Sequence, residues 1–527
     1  MRPIQRTLLK AALITIVSAA ILLFTAGIIL SAIVTGKVKA KLESANAQIG
    51  SLSINLFTRA VTIKNFEWSP AARPICQPDS SNSGPHSVII HDIRASGIHL
   101  MSLFRDHQVS VRKIEIENGS VFINRSFKTC DTPGTDSIKF KGFDVDLLSI
   151  QNIAIRIAKD TVNQCTGKAG LILHYVALDS AASWRNLSAY TMKNIETTVR
   201  ELKIENWDEL YAFQMKEISF DKELMRLHID SLELIPQVEK KDWGKKVKSQ
   251  VTRTTMVVGN ILAEGVNMAV HMQDTSIMVS AIDINGPAVH AYKDKRYPFT
   301  RKDKFPLPME AFRAMHISIE VDSIRIHDGS ITYEEFPVEG FRPAHISFED
   351  LQATMSSVNN RDFKNMTGYS TLRASAHIMK TGEVNATFKL PLEKNKRYSA
   401  EGSVKNLPLK ELNPLIKDIA FIEIASGQLN SLDFAFTYDD IGSQGQLRLD
   451  YENLRILSLK KEKEGDVAAF KTLLVNTAMK NAETLTGEIS VQRNQRKAVF
   501  NLWTISIVDG MRSALLPRRK DKGTKAK

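Results

Sequence analysis

One phrase occurs twice in the chain and limits what it can fold into. SVRKIEIENGSVFINR runs from Ser110 to Arg125, and VDSIRIHDGSITYEE from Val321 to Glu335. In the first, Ile114, Ile116, Val121 and Ile123 alternate with polar residues. In the second, Ile324, Ile326, Ile331 and Tyr333 do the same. A period of two sends successive side chains to opposite faces of a strand. Between the two halves of each phrase stands Asn118-Gly119 or Asp328-Gly329, which predicts a tight turn at positive φ. RELKIENWDELYAF (Arg200–Phe213) and VSAIDINGPAVHAY (Val279–Tyr292) are weaker echoes, so the chain reads as an internal β repeat with variable insertions.

The same alternation fills the gaps between the repeats. SLSINLF and AVTIKNFEW, the latter with an irregularity near Asn65, open the β region after residue 48. Further runs begin at Val88, Ile138, Glu217, His345 and Thr371. Short alternating runs separated by turn residues predict antiparallel sheet with one apolar and one polar face. Such a sheet must cover its apolar side with a second sheet, a helix or lipid chains, and the pattern leaves all three open. Gly244–Glu264 and Pro408–Ile416 read as helical or mixed. AAFKTLLVNTAMKNAETL (Ala468–Leu485) reads as a helix, followed by the strand-like GEISVQR.

Ahead of the sheet, Ala11–Gly36 carries no charged side chain. Twenty-six helical residues rise to about 39 Å, enough to cross a hydrocarbon core of roughly 30 Å. A cleaved signal peptide has a much shorter apolar core, about 7–15 residues, so the run predicts a retained transmembrane anchor. Arg2, Arg6 and Lys10 precede it and Lys37, Lys39 and Lys41 follow, a near-tie that favours the amino-terminal side as cytoplasmic only weakly. The divisions expected are a cytoplasmic segment (1–10), the anchor (11–36), a helical stalk (37–48), a repeated β body (49–403), further strands (404–461), terminal helices and a strand (462–516) and a basic tail (517–527). In the last element, Trp503, Ile507, Met511 and Leu515 beside Arg518 and Arg519 suit either a membrane-interface helix or a helix capping the sheet.

The formal charge of +12 suits an anionic phospholipid surface, and no nucleic-acid module accompanies it. Cys76, Cys130 and Cys165 form no CxxC pair. Cys130 and Cys165 stand in similar polar, turn-like stretches, open to a disulfide in an oxidising compartment or to two free thiols. No G-x-S-x-G, H-E-x-x-H, G-x-x-x-x-G-K-[ST] or G-x-G-x-x-G occurs, and the twelve histidines are scattered. The expectation is therefore a protein that is not an enzyme, with no catalytic residues, metal site or cofactor.

Two stretches carry a family resemblance. GSLSINLFTRAVTIKNFEW after the anchor resembles the opening strand pair of the AsmA-like family, including its DUF748-type relatives. Val404–Lys461 is similar to that family's Leu-Pro segment and following strands, through Ser426, Gly427, Leu429, Phe434, Gly445, Leu447, Leu449, Tyr451, Leu454 and Ile456. The closing VFNLWTISIVDGMRSALL resembles the terminal helix of bacterial members. The resemblance implies a mainly β fold: an elongated, twisted antiparallel sheet curled into an apolar groove, with an N-terminal transmembrane helix and C-terminal helices. It further implies an inner-membrane, single-pass protein with its body in the periplasm, moving phospholipid toward the outer membrane. In that reading Ile114, Ile116, Val121, Ile123, Ile324, Ile326, Ile331 and Tyr333 line the groove. A closed sandwich core would show the same alternation. The rival function is a non-enzymatic scaffold that binds other envelope proteins or assists outer-membrane protein assembly.

Overall fold

The computed structural model describes residues 47–55, 58–69, 87–99, 108–124, 142–159, 162–179, 190–207, 210–270, 275–315, 317–360, 368–464, 467–478 and 483–515. The expected anchor, Cys76, Cys130, Arg518 and Arg519 lie outside them. No described helix is long and apolar enough to cross a membrane. The chain divides into two units, one ending at Trp207 but including Phe213–Leu224, the other holding Asp208–Ala212 and everything from Met225. Both are mainly β.

The first unit contains β1 (Ala47–Asn55), β2 (Ala60–Trp68), β3 (Ser87–Ile98), β4 (Gln108–Asn124), β5 (Gly142–Lys159), β6 (Val162–Asp179), β7 (Tyr190–Trp207) and most of β8 (Tyr211–Asp221). Strands β1 to β4 pair antiparallel in sequence order, as do β5 to β7. Only the step from β4 to β5 is parallel among the pairings of β1 to β7. β1 starts at Ala47, inside the expected stalk, because Ala47 and Gln48 already pair with Trp68 and Glu67.

The second unit opens with β9 (Arg226–Pro236), α1 (Lys240–Val247), β10 (Arg253–Glu264), β11 (Asn267–Val270), β12 (Thr275–Asn285) and β13 (Ala288–Asp294). Then come α2 (Pro308–Arg313), β14 (Ser318–Phe336), β15 (Ala344–Asn359), β16 (Tyr369–Ile378), β17 (Gly382–Pro391) and β18 (Tyr398–Pro408). A 3-10 turn (Leu409–Leu412) leads into α3 (Asn413–Ala420). The unit closes with β19 (Ile422–Tyr438), β20 (Gly442–Glu464), β21 (Val467–Ala478), β22 (Glu483–Gln492) and α4 (Val499–Leu515). β12 and β13 lie end to end between β10 and β14, broken at Gly286-Pro287, and pair β14 in parallel. From β14 to β20 each strand pairs antiparallel with the next.

Three sequence expectations are corrected. Asn118-Gly119 and Asp328-Gly329 are not tight turns: each sits inside one unbroken strand, β4 or β14. Asn118 (φ 55°) and Asp328 (φ 52°) take the left-handed conformation, which short polar side chains tolerate, and the strand kinks and continues. Gly119 is needed for a different reason. A Cβ on Gly119 would lie 2.5 Å from the carbonyl oxygen of Ile89 on the neighbouring strand.

The second correction concerns Ala468–Leu485, which forms β21 and the start of β22 instead of a helix. β20 is 23 residues long; β22 pairs its first half and β21 its second. Without those partners β20 would leave a row of backbone groups unpaired on that side, and the ladder overrides local helix propensity. The third is Cys165, which lies in β6 and not in a turn. It is a free thiol opposite Ile157 and Ile204, and burial raises its pKa.

Candidate functional site

Directly opposed residues in a β ladder share a face, so the pairing register shows how the apolar positions meet. In the first unit Ile54, Val61, Ala95, Ile114, Leu148, Leu173 and Ile195 form one row across seven strands. Leu52, Ile63, Ile93, Ile116, Ile150 and Leu171 form the next. Beyond the kink, Trp68, Val88, Val121 and Ile155 make a third, and Ile123, Ile157 and Cys165 a fourth.

The kink keeps these rows on one side. Ile114 and Ile116 are even-numbered, Val121 and Ile123 odd; an ordinary strand would put the two pairs on opposite faces. The left-handed residue between them resets the parity. Asn65 (φ 52°) does this in β2 and Asn152 (φ 56°) in β5. In each strand two consecutive exposed residues mark the reset: Lys64-Asn65, His91-Asp92, Glu117-Asn118 and Gln151-Asn152. They form a polar band across the opposite face. Asn152 Nδ2 donates to Asn118 Oδ1 at 2.6 Å, and the His91 ring lies 3.4 Å from Asn65 Oδ1.

The second unit repeats the arrangement. Ile229, Ile261, Ile284, Ile326, Ala353 and Ala374 make one row. Met256, Val289, Ile331, Phe348 and Ile378 lie in another beyond the kink, and Ala291, Tyr333 and Ile346 in the next. A longer row runs through Ala263, Ile282, Ile324, Met355, Leu372, Phe388, Ala400 and Phe436 to Gly445 and Ile489. Ile324 and Ile489 therefore stand on the same face.

The two ends of that face differ in cover. Toward β22 it is closed: Phe434, Phe436, Leu447, Leu449 and Ile489 are buried together with Val499 and Leu502 of α4. α4 lies so close that a Cβ on Gly487 would stand 2.0 Å from the carbonyl oxygen of Gly510. The Trp503 ring stacks on Phe388 at 4.3 Å, and the hydroxyls of Ser443 and Ser506 meet at 2.7 Å in the buried contact. Toward β9 the face is not closed in this way. Ile324, Ile326 and Tyr333 remain half-buried and Ile331 is 38% exposed. In the first unit Ile114, Ile116 and Val121 are half-buried and Ile123 is 39% exposed. Among the described residues, that unit has strands and turns but no helix to lay over them.

All eight expected groove residues thus sit on apolar faces, four in each unit. Their partners on β3, β5, β12 and β15 are not legible in the sequence, because single-strand alternation does not tell which strands are neighbours. Trp503, Ile507, Met511 and Leu515 are half-buried on α4. They pack against the edge of the buried cluster, beside the sheet-facing stripe of Val499, Leu502, Ser506, Gly510 and Ala514, which favours the capping reading. The outward side of α4 carries Phe500 (69% exposed), Thr504, Val508 (50%) and Arg512.

The opposite face is polar and charged. Asp283 accepts from Arg325 Nε and Nη2 and lies 3.1 Å from His327 Nε2, which holds its pKa down at about 2. Glu334 pairs with Lys240 and His290, and His174 with Glu196. Among the described residues no group of three or more His, Cys, Asp or Glu could hold a metal ion.

Fold and face together define a class: a sheet protein whose two units each carry one apolar and one polar face, the second unit capped at its C-terminal end by a helix. No protein-family profile and no curated protein sequence matches the chain.

Proposed function

We propose that the protein is a membrane-anchored, periplasmic, non-enzymatic carrier that accommodates phospholipid acyl chains along its apolar β surface and assists lipid movement between membranes. The observation that carries this reading is the combination of unbroken apolar rows with partial exposure. A closed core buries its isoleucines, as the β19–β22 end does with its leucines and phenylalanines. The rows through Ile116 and Ile326 instead keep an accessible side. Acyl chains laid on such a surface leave water at about 0.8 kcal/mol per methylene buried. The head group stays in water, and transfer needs successive weak binding instead of a chemical step. The uncharged run Ala11–Gly36, the basic balance of the chain and its AsmA-like ends support the same reading.

The test is lipid content. The full chain, extracted gently and analysed by native mass spectrometry, is expected to carry phospholipid and to take labelled phospholipid from liposomes. Ile116→Asp and Ile326→Asp place a carboxylate against acyl chains at a cost of several kcal/mol, so lipid occupancy should fall while the protein stays folded. A folded wild-type chain that carries no lipid and captures none overturns the proposal in favour of the scaffold reading.

A further inference from the structure

A second feature lies on the other side of the second unit's sheet. Arg253, Tyr292 and Glu334 are paired across β10, β13 and β14, one residue out of step with the apolar row through Ala291 and Tyr333, and so belong to the polar face. Here α1 and the ends of these strands border an open, shallow recess of about 620 Å³, lined by Lys240, Lys241, Arg253 and Arg296 with Glu239, Pro343 and the rings of Tyr292 and Phe336.

The cations are held in place but not used up. Arg296 makes a two-pronged contact with Asp294, through Nε at 2.9 Å and Nη2 at 2.7 Å, and its guanidinium lies 3.6 Å from the centre of the Phe336 ring. That leaves Nη1 free of the carboxylate. Lys240 bonds Glu334 and stands 4.8 Å from the centre of the Tyr292 ring. Lys241 pairs with Glu239 but its side chain is 76% exposed. Arg253 is different. Its Nε donates to the Val238 carbonyl at 3.1 Å and its Nη1 to Thr255 at 3.4 Å, and among the described residues no carboxylate lies within ion-pair distance. It is half-buried, and loss of water lowers its pKa. Four cations stand against Glu239, Asp294 and Glu334, a surplus of one that falls on Arg253. The first turn of α1 opens on the same recess with no side-chain cap.

We infer that this recess binds a phosphate ester, either the phosphodiester of a lipid head group or a soluble phosphate. A tetrahedral phosphate presents oxygens in several directions at once, which suits guanidinium donors arriving from β10 and from beyond β13, and an ammonium from α1. The inference does not depend on the acyl-chain surface, which lies on the opposite face.

The experiment uses the full chain in an uncharged detergent. Binding of inorganic phosphate, glycerol 3-phosphate and monomeric dihexanoyl phosphatidylglycerol is measured by titration calorimetry at two salt concentrations. Wild type is expected to bind at least one of them, more weakly at the higher salt. Arg253→Gln and Lys241→Glu should each weaken binding by about tenfold or more, the worth of one charge-assisted contact. Binding of inorganic phosphate or glycerol 3-phosphate at least as tight as that of the short lipid assigns the recess to soluble phosphates; tighter binding of the short lipid that is weakened by Arg253→Gln and not by Ile116→Asp assigns it to head groups. Ile116→Asp should leave the affinity for the chainless probes, inorganic phosphate and glycerol 3-phosphate, unchanged, so that failure of the acyl-chain surface and failure of the recess are told apart. Lys241 is exposed, and its variant folds even if Arg253→Gln does not. Absence of binding by wild type to all three probes, or wild-type affinity in either folded variant, overturns the inference.

Discussion

Asp283 ties β12 to β14 on the polar face through Arg325 and His327. Its carboxyl is depressed from 3.8 to about 2, chiefly by the hydrogen bond from Arg325. A depressed acid contributes stability that is present above its unfolded pKa and is lost as pH falls through the folded one. Thermal melts of wild type and Asp283→Asn should therefore differ at pH 7, converge between 3.8 and about 2, and coincide below. A constant gap across that window would mean that the pair adds nothing through its charge. The apolar side offers a sharper contrast between residues. Ile116 and Leu447 look alike in sequence, each an aliphatic in an alternating run. Leu447 is 1% exposed beneath α4, whereas Ile116 keeps an open side. Leu447→Asp is expected to unfold the second unit's core, at a cost of several kcal/mol, and Ile116→Asp to leave circular dichroism and melting nearly unchanged. Equal destabilisation by the two would mean that the first unit's face is closed. Alternation exposed which residues are apolar; it could not tell which of them are covered, since cover comes from elements far away in the chain.

Kinks, strands and caps show the same division between local and distant causes. The repeated Asn-Gly and Asp-Gly steps were legible as points of positive φ, and Asn65 as an irregularity. Whether such a point reverses the chain or merely kinks it depends on the partner strand. β4 and β14 run on because β3, β5, β12, β13 and β15 are paired with them on both sides of the step. The stretch Ala468–Leu485 carries good helix formers, yet it lies where β20 needs a partner, and pairing decides. For α4 the sequence left two outcomes open, and the contact with β22 selects the cap. That contact has a specific weak point. Gly487 admits the backbone of Gly510, and no side chain fits between them. Gly487→Val should push α4 from the sheet, costing about 1–3 kcal/mol or more through overpacking. Trp503 fluorescence should shift to the red as the ring leaves Phe388, and proteolysis should begin within Val499–Leu515. An unchanged emission spectrum would show that the helix is held by other contacts.

The second unit has a face that is covered at its β22 end and accessible toward β9, the described strands of the first unit have a face that is accessible, and this difference has a thermodynamic signature. Apolar burial is the main source of stability, so the cluster that joins β17–β20 and β22 with α4 should open least often. The strands of the first unit have paired backbones but half-exposed side chains, and should exchange their amide hydrogens faster. Hydrogen exchange of the full chain in detergent is expected to grade in this order, with slowest exchange in β19, β20 and β22. Phospholipid then supplies a second arm. A lipid that occupies the apolar rows removes them from water and binds only the folded sheet, so it stabilises the strands it covers by mass action. Added phospholipid should slow exchange in β2–β5 and in β12–β15. It should leave β19, β20 and β22 unchanged, because α4 already covers them. A headgroup analogue without chains should instead protect the neighbourhood of Arg253 and the first turn of α1 alone. Uniform protection across the chain would point to general stabilisation by detergent exchange, and protection confined to α4 would place lipid at Phe500 and Val508 on its outer side.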